Sequence, residues 1–154
     1  MGKVEQKLAE LGYELPEVAR PVAVYVPAVR TGNLLFVSGQ VAKKGDGLLY
    51  RGHVGHEVTL EQGYECARQC ALNALAVIKA EIGDLDRVRR VVKVLGWVNS
   101  APGFNQQPQV INGASELLVQ IFGERGQHAR SAVSAHELPL DSPVELEMIV
   151  EVED

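Results

Sequence analysis

The sequence is poor in cysteine, in basic charge and in long apolar runs, and each shortage excludes a class of protein. Only Cys66 and Cys70 occur, one helical turn apart, which excludes a secreted disulfide framework and favours two small helix-packing residues in a reducing cytoplasm. Lys and Arg number 15 against 20 Asp and Glu, a net charge of −5, which argues against nucleic acid as a partner. The longest apolar run, residues 22–29, contains Pro27 and is far shorter than the roughly 20 residues that span a bilayer. We therefore expect a soluble, cytoplasmic protein without membrane contact.

Targeting signals and cofactor motifs are also missing. The N-terminus carries acidic charge where an export signal requires an apolar stretch. Neither GxGxxG nor GxxxxGK[ST] occurs, which removes the usual basis for expecting a dinucleotide or ATP. His53, His56 and Glu57 have a metal-like spacing, but no third ligand group lies near them in the sequence. A solvated loop is favoured there, and we expect no metal and no cofactor.

The composition is that of one globular domain. The chain has 154 residues, of which 46% are hydrophobic and 23% charged, enough to bury a core. One long helix is predicted to begin after Thr59, with Gln62 completing a capping box, and to end at Gly83. A second apolar helical stripe is predicted to begin near Pro108 and to end at Gly123.

The N-terminal region and the β-rich runs complete the outline. A short helix is predicted over residues 3–11, and we assign residues 1–21 to an N-terminal helix and arm before a single domain at residues 22–154. Five runs are predicted as strands: residues 22–29, 34–41, 88–98, 128–136 and 144–152. We expect the first strand to lie at a sheet edge or to end early, because Pro27 cannot donate to a ladder.

The order β-β-α-β-α-β-β decides the fold class. It contains two strand-helix-strand crossovers, and right-handed crossovers place both long helices on one face of the sheet. The sequence therefore predicts an α+β fold, a two-layer sandwich in which two helices cover one face of a mixed sheet. Because two helices cannot cover both faces, we expect the other face to be buried by self-association.

The alternation of apolar and polar residues in the last two predicted strands indicates on which sheet face Arg130 lies. If residues 128–136 and 144–152 form a hairpin, Arg130 lies opposite Glu151 and points away from the helices. Arg130 could then form an ion pair with Glu151, or its guanidinium could bind a small carboxylate, for which Arg is better shaped than Lys. Glu147 lies ~13 Å from Glu151 at ~3.3 Å per residue, so a site that contains both Arg130 and Glu147 favours assembly across an interface.

Short motifs between residue 22 and the C-terminus resemble one protein family in their order and spacing. They are Tyr25, the run Gly-Asn-Leu-Leu-Phe-Val-Ser-Gly-Gln at 32–40, Asn112, Ala129-Arg130-Ser131, Leu138-Pro139 and Val144-Glu145-Leu146-Glu147. Together they resemble the reactive-intermediate deaminase family, also called Rid or YjgF-like. The N-terminal arm and the loop at 99–107 resemble a less characterised subgroup of it. The resemblance implies a chorismate-mutase-like fold and a homotrimer with a cleft at each subunit interface.

The resemblance also implies an activity and a set of site residues. The activity is the hydrolysis of small reactive 2-imino acids or enamines to 2-keto acids and ammonia, without metal or cofactor. Arg130 is implied to bind the substrate carboxylate, and Glu147 to serve the water or the imine. The positions implied to line the same cleft are Tyr25, Ser38, Gly39, Asn112 and Ala132. Positioning and one proton-transfer group can suffice for this chemistry, because the imine carbon is already electrophilic.

The sequence departs from the family at Ala132, where the best-known members carry Cys. The family role at this position belongs to the backbone carbonyl, so activity remains the expectation. A non-catalytic trimer that binds a small carboxylate at Arg130 stays open as an alternative, and so does an endoribonuclease, which the acidic balance disfavours. Glu147 could also be a solvated member of an acidic strand face. His128 and His136 are candidates for tuning the Arg130 region.

Overall fold

A five-stranded mixed sheet with helices against one face forms the fold of the computed structural model, which describes residues 2–18 and 24–154. In chain order the elements are α1 (Lys3–Glu10), β1 (Ala28–Thr31), β2 (Leu34–Val41), β3 (Lys43–Lys44), β4 (Gly47–Leu48), α2 (Leu60–Ile82), β5 (Val88–Asn99), α3 (Gln107–Phe122), β6 (Ala129–Ala135) and β7 (Val144–Val152). The sheet order is β1-β2-β7-β5-β6, with β5 parallel to β6 and the other neighbours antiparallel. The predicted α+β fold with a mixed sheet is confirmed.

The two long helices begin and end close to where the sequence predicts. Thr59 Oγ1 accepts the backbone N–H of Gln62 at 3.1 Å, and the Gln62 side chain accepts the Thr59 N–H at 3.0 Å. α2 ends at Gly83, which has a φ of 88°, and α3 carries Pro108 in its first turn. α2 packs against β2 and β7, and α3 packs against β5 and β6. Both helices therefore cover one face of the sheet, which we call the helix face.

The core lies between the two long helices and the helix face. In β7 the side chains on this face are fully buried: Val144, Leu146, Met148, Val150 and Val152. The side chains between them are half-buried and define what we call the open face: Glu145, Glu147, Ile149 and Glu151. None of the helices within the described ranges is long and apolar enough to cross a membrane.

The short helix α1 packs onto the domain. Val4 and Leu8 are buried in the same core as the sheet, and the carboxylate of Asp86 accepts two backbone N–H groups from the start of α1. These hydrogen bonds lower the pKa of Asp86. Farther along the arm, the Tyr13 ring lies 4.9 Å from the guanidinium carbon of Arg68 on α2. The N-terminal segment is thus held by capping, burial and a cation–π contact.

The predicted strand at residues 22–29 is largely wrong. β1 starts only after Pro27 and extends to Thr31, so the turn to β2 consists of Gly32 and Asn33. Pro27 lacks the N–H that a ladder needs, which explains the late start, and β1 lies at the sheet edge as expected. Residues 19–23, from the predicted arm and strand, lie outside the described residues. The other four predicted strands agree with β2, β5, β6 and β7 to within one residue at each end.

The predicted hairpin between the last two strands is also wrong. β5 lies between β6 and β7, so Arg130 is in register with Val94 of β5, while Glu151 pairs with other residues. The connection crosses the end of β5 through a tight turn in which Leu140 and Asp141 have φ values of 61° and 62°. Alternation assigns a face only when the neighbouring strand is known, because the register decides which side each residue takes. Arg130 therefore lies on the helix face, opposite to the prediction.

Candidate functional site

Arg130 lies near the start of β6, with its guanidinium against α3. Nη1 donates to Asn112 Oδ1 at 2.8 Å and to Ser115 Oγ at 3.2 Å. These bonds use two of the five guanidinium N–H groups, and within residues 2–18 and 24–154 Arg130 forms no ion pair with Asp or Glu. The alternative of an ion pair with Glu151 is therefore wrong. The Nε and Nη2 edge keeps three N–H groups, a geometry that suits a carboxylate bound through two hydrogen bonds.

Two glycines allow α3 to lie close enough to hold Arg130. A Cβ at Gly113 would collide with the backbone carbonyl oxygen of Tyr64, so α2 and α3 pack backbone against backbone at this point. A Cβ at Gly96 of β5 would meet the Ile111 side chain within 2.6 to 2.9 Å. Because α3 lies this close to both α2 and β5, the position of Asn112 on α3 is fixed.

Ser115 and His128 extend the hydrogen bonds of Arg130. Ser115 Oγ lies 2.9 Å from His128 Nε2, and His128 Nδ1 lies 2.6 Å from the carbonyl oxygen of Gly126. His128 was a candidate for tuning the Arg130 region, and the structure connects the two through one hydroxyl group. Ser115 was missed by sequence reasoning, although its place one helical turn after Asn112 on the same helix was a usable signal.

Tyr25, Ser38 and Gly39 lie around the other edge of the sheet. The register between β2 and β7 shifts between Val37 and Gln40, which places a bulge at Ser38 and Gly39. Ser38 Oγ donates to the carbonyl oxygen of Val26 at 2.7 Å, and the backbone N–H of Ser38 donates to the carbonyl oxygen of Pro27. The bulge thereby holds the segment that carries Tyr25, whose side chain is 54% exposed.

Two carboxylates lie side by side on the open face of β7. A Cβ at Gly39 would collide with the Glu145 carboxylate, so a larger residue at Gly39 would displace that group. Burial, and to a lesser extent the charge of Glu147, raise the pKa of Glu145. Glu147 borders a small cavity of about 90 Å³ together with Lys93, Leu95, Met148 and Ile149.

The predicted site residues therefore form two groups within one chain. Arg130 lies on the helix face at the β6 edge, with Asn112 beside it and Ala132 packed against the core. Glu147, on the central strand β7, is in register with Leu95 and lies on the open face. Tyr25, Ser38 and Gly39 lie beyond it, toward the β1 edge of the sheet. In the described part of a single chain, Arg130 and Glu147 face opposite sides of the sheet.

A larger cavity of about 380 Å³ lies at the carboxyl ends of β5 and β6. Its lining includes His53, Phe104, Ser134 and His136. Because β6 rises ~3.3 Å per residue, His136 lies roughly 20 Å along the strand from Arg130, and its candidate role in tuning Arg130 is wrong. The described residues contain no group of three His, Cys, Asp or Glu side chains arranged to hold a metal ion.

The two cysteines are free and buried. Both side chains have no exposed surface and belong to the core. Burial raises the pKa of the Cys66 thiol to about 12 and raises that of Cys70 well above its usual value. Their interpretation as helix-packing residues agrees with this environment.

Comparisons with known proteins cover almost the whole chain. Residues 5–152 match the family described as "YjgF/chorismate_mutase-like, putative endoribonuclease". Protein TCP17 of Trypanosoma cruzi is 44% identical over 152 residues, 98% of this chain and 95% of the relative. A 2-iminobutanoate/2-iminopropanoate deaminase of Dermatophagoides farinae is 30% identical over 138 residues, 90% of this chain and 93% of the relative. The crystal structure of a "putative endoribonuclease" of Shewanella oneidensis MR-1 superposes with a TM-score of 0.95 at 34% identity, over 98% of this chain and 100% of that one. This chain belongs to the YjgF/Rid family.

Proposed function

We propose that this protein hydrolyses small reactive 2-imino acids, or the enamines that tautomerise to them, to 2-keto acids and ammonia. Water adds to the imine carbon, the carbon–nitrogen bond breaks, and the nitrogen leaves as ammonia with both protons of the water. One relative, 30% identical, is named as a deaminase of 2-iminobutanoate and 2-iminopropanoate. Both named compounds pair a carboxylate with an electrophilic imine carbon, so the site needs an anion-binding group and a proton-transfer group.

The observation that carries the proposal is the Nε and Nη2 edge of Arg130, which has no carboxylate partner among the described residues. Asn112 and Ser115 occupy Nη1. The substrate carboxylate would accept from Nε and Nη2, which orients the imine carbon relative to the protein. Asn112 contributes by holding Arg130, and the backbone of Ala132 lies two residues farther along the same strand.

The proposal requires a second copy of the chain to complete the site. Glu147 would serve the attacking water or the imine nitrogen, but it faces away from the Arg130 of its own chain. In the proposed homotrimer, the open face of one copy approaches the β6 edge of the next. Tyr25, Ser38 and Gly39 lie on the Glu147 side and would enter the same cleft from that copy.

The direct test is ammonia release from imino acids that an amino-acid oxidase generates in the assay. The protein should accelerate ammonia release above the buffer rate, and Arg130→Ala should abolish that acceleration while the oligomeric state measured by light scattering is kept. Val119→Ala, on the exposed side of α3, serves as the matched control. Unchanged turnover in Arg130→Ala would remove the role assigned to this guanidinium.

A non-catalytic carboxylate-binding protein is the second candidate, because one chain holds Arg130 and Glu147 on opposite sides of its sheet. Several imino acids hydrolysed at the buffer rate, together with retained binding of a 2-keto acid, would favour this candidate. The family description also mentions endoribonuclease activity. RNA cleavage that disappears in Arg130→Ala, at controlled purity, would support that function, although the net charge of −5 opposes RNA binding.

A further inference from the structure

A line of hydrogen bonds supports Arg130 at its Nη1 nitrogen. It runs from Nη1 to Ser115 Oγ at 3.2 Å, from Ser115 Oγ to His128 Nε2 at 2.9 Å, and from His128 Nδ1 to the carbonyl oxygen of Gly126 at 2.6 Å. Building on the proposed function, we propose that Ser115 and His128 are positioning residues that hold the Arg130 guanidinium with its Nε and Nη2 edge free for the substrate carboxylate.

The carbonyl oxygen of Gly126 decides the tautomer of His128. A carbonyl can only accept, so Nδ1 of the imidazole carries the proton. In the neutral ring Nε2 is then an acceptor, and it takes the hydroxyl proton of Ser115. This leaves the lone pairs of Ser115 Oγ directed at Nη1 of Arg130, which is the arrangement a donor such as guanidinium requires.

The other charged groups around His128 are engaged elsewhere or face away. Glu116 of α3 accepts a hydrogen bond from the hydroxyl of Tyr64 on α2. Arg125, in the turn before His128, donates to the backbone carbonyl oxygen of Val88 at the start of β5. Lys93 of β5 borders the small cavity on the open face. Glu124 in the same turn is exposed. Arg130 is thus the charged group to which His128 is connected through Ser115.

The experiment measures the affinity of the full chain for pyruvate, a small 2-keto acid, by calorimetry. Ser115→Ala should weaken binding about fivefold, the value of one hydrogen bond, whereas Ser115→Thr keeps the hydroxyl and should bind within about twofold of the original chain.

His128→Gln separates positioning from mere structural support. Its amide oxygen can accept from Ser115, so the affinity for pyruvate should stay near that of the original chain, whereas His128→Ala offers Ser115 no acceptor and should bind more weakly. His136→Gln, at a fully exposed histidine, is the matched control and should bind like the original chain. The inference is overturned if Ser115→Ala or His128→Ala binds like the original chain. Unweakened binding in Arg130→Ala would instead overturn the proposed function.

Discussion

At the scale of single residues, Arg130 and Glu145 are two ionisable groups that lack the pairing or the full hydration of an ordinary surface side chain. Arg130 keeps one guanidinium edge without a described acid. On the open face, the half-buried carboxylate of Glu145 lies next to Glu147, and both burial and that neighbour raise the pKa of Glu145. The first arrangement favours an external anion, and the second disfavours the ionised form of a carboxyl group.

Replacing Glu145 by Gln should reveal how much the ionised carboxylate lowers the free energy of unfolding. A carboxyl whose pKa is raised in the folded state stabilises the fold most when protonated, and that stability is lost as pH rises through the folded pKa. Glu145→Gln should therefore raise the free energy of unfolding at pH 7.5, by less than about 1 kcal/mol at a half-exposed position. The gain should vanish near pH 4, where the group is largely protonated in both states. Glu151→Gln on the same strand face is the control in urea titrations at one protein concentration, and an equal gain at both pH values would contradict the assignment.

At the scale of elements, local signals located the helices and strands but not their neighbours. The capping box at Thr59 and the alternation in β7 depend on residues close in the sequence, and both predictions are confirmed. The placement of Arg130 failed because β5 was not known to separate β6 from β7. A wrong neighbour gives a wrong register, and each unit of register moves a side chain to the other face. Ser115 was missed because its partner Arg130 was placed on the wrong face.

The packing of α2 on α3 gives a matched pair of substitutions. Gly113→Ala would drive a methyl group into the backbone carbonyl of Tyr64, which cannot move without displacing a helix. The atoms nearest to a Cβ at Gly63 are valine methyl groups at 3.2 to 3.3 Å, which can shift slightly. Gly113→Ala should therefore lower the free energy of unfolding by about 1 to 3 kcal/mol, and Gly63→Ala by clearly less. Denaturant unfolding checks this, and equal losses in the two variants would mean that the close approach at Gly113 does not limit the packing.

At the scale of the whole molecule, one chain leaves apolar surface on the face that the helices do not cover. Val29, Phe36 and Val133 are 55%, 42% and 43% exposed, and their registers place all three on the open face. The sequence predicted that this face would have to be buried by self-association, because two helices cannot cover both faces of a sheet. It could not show that Arg130 and Glu147 lie on opposite faces of that sheet. An assembly that buries the open face against a second copy can also join the two groups into one cleft.

Mixing two inactive variants tests whether that cleft is shared between copies. Arg130→Ala and Glu147→Gln should each lose imine hydrolysis, since each removes one half of the proposed site. In trimers formed by co-expression of both variants, some interfaces receive Arg130 from one copy and Glu147 from the next, so roughly a quarter of the sites should be intact at equal mixing. Ammonia release by the mixture should recover accordingly, while the separately purified variants combined without subunit exchange stay inactive. If a single copy supplied both groups, no mixture could recover activity, and a mixture that stays inactive despite confirmed mixed trimers would refute the shared site.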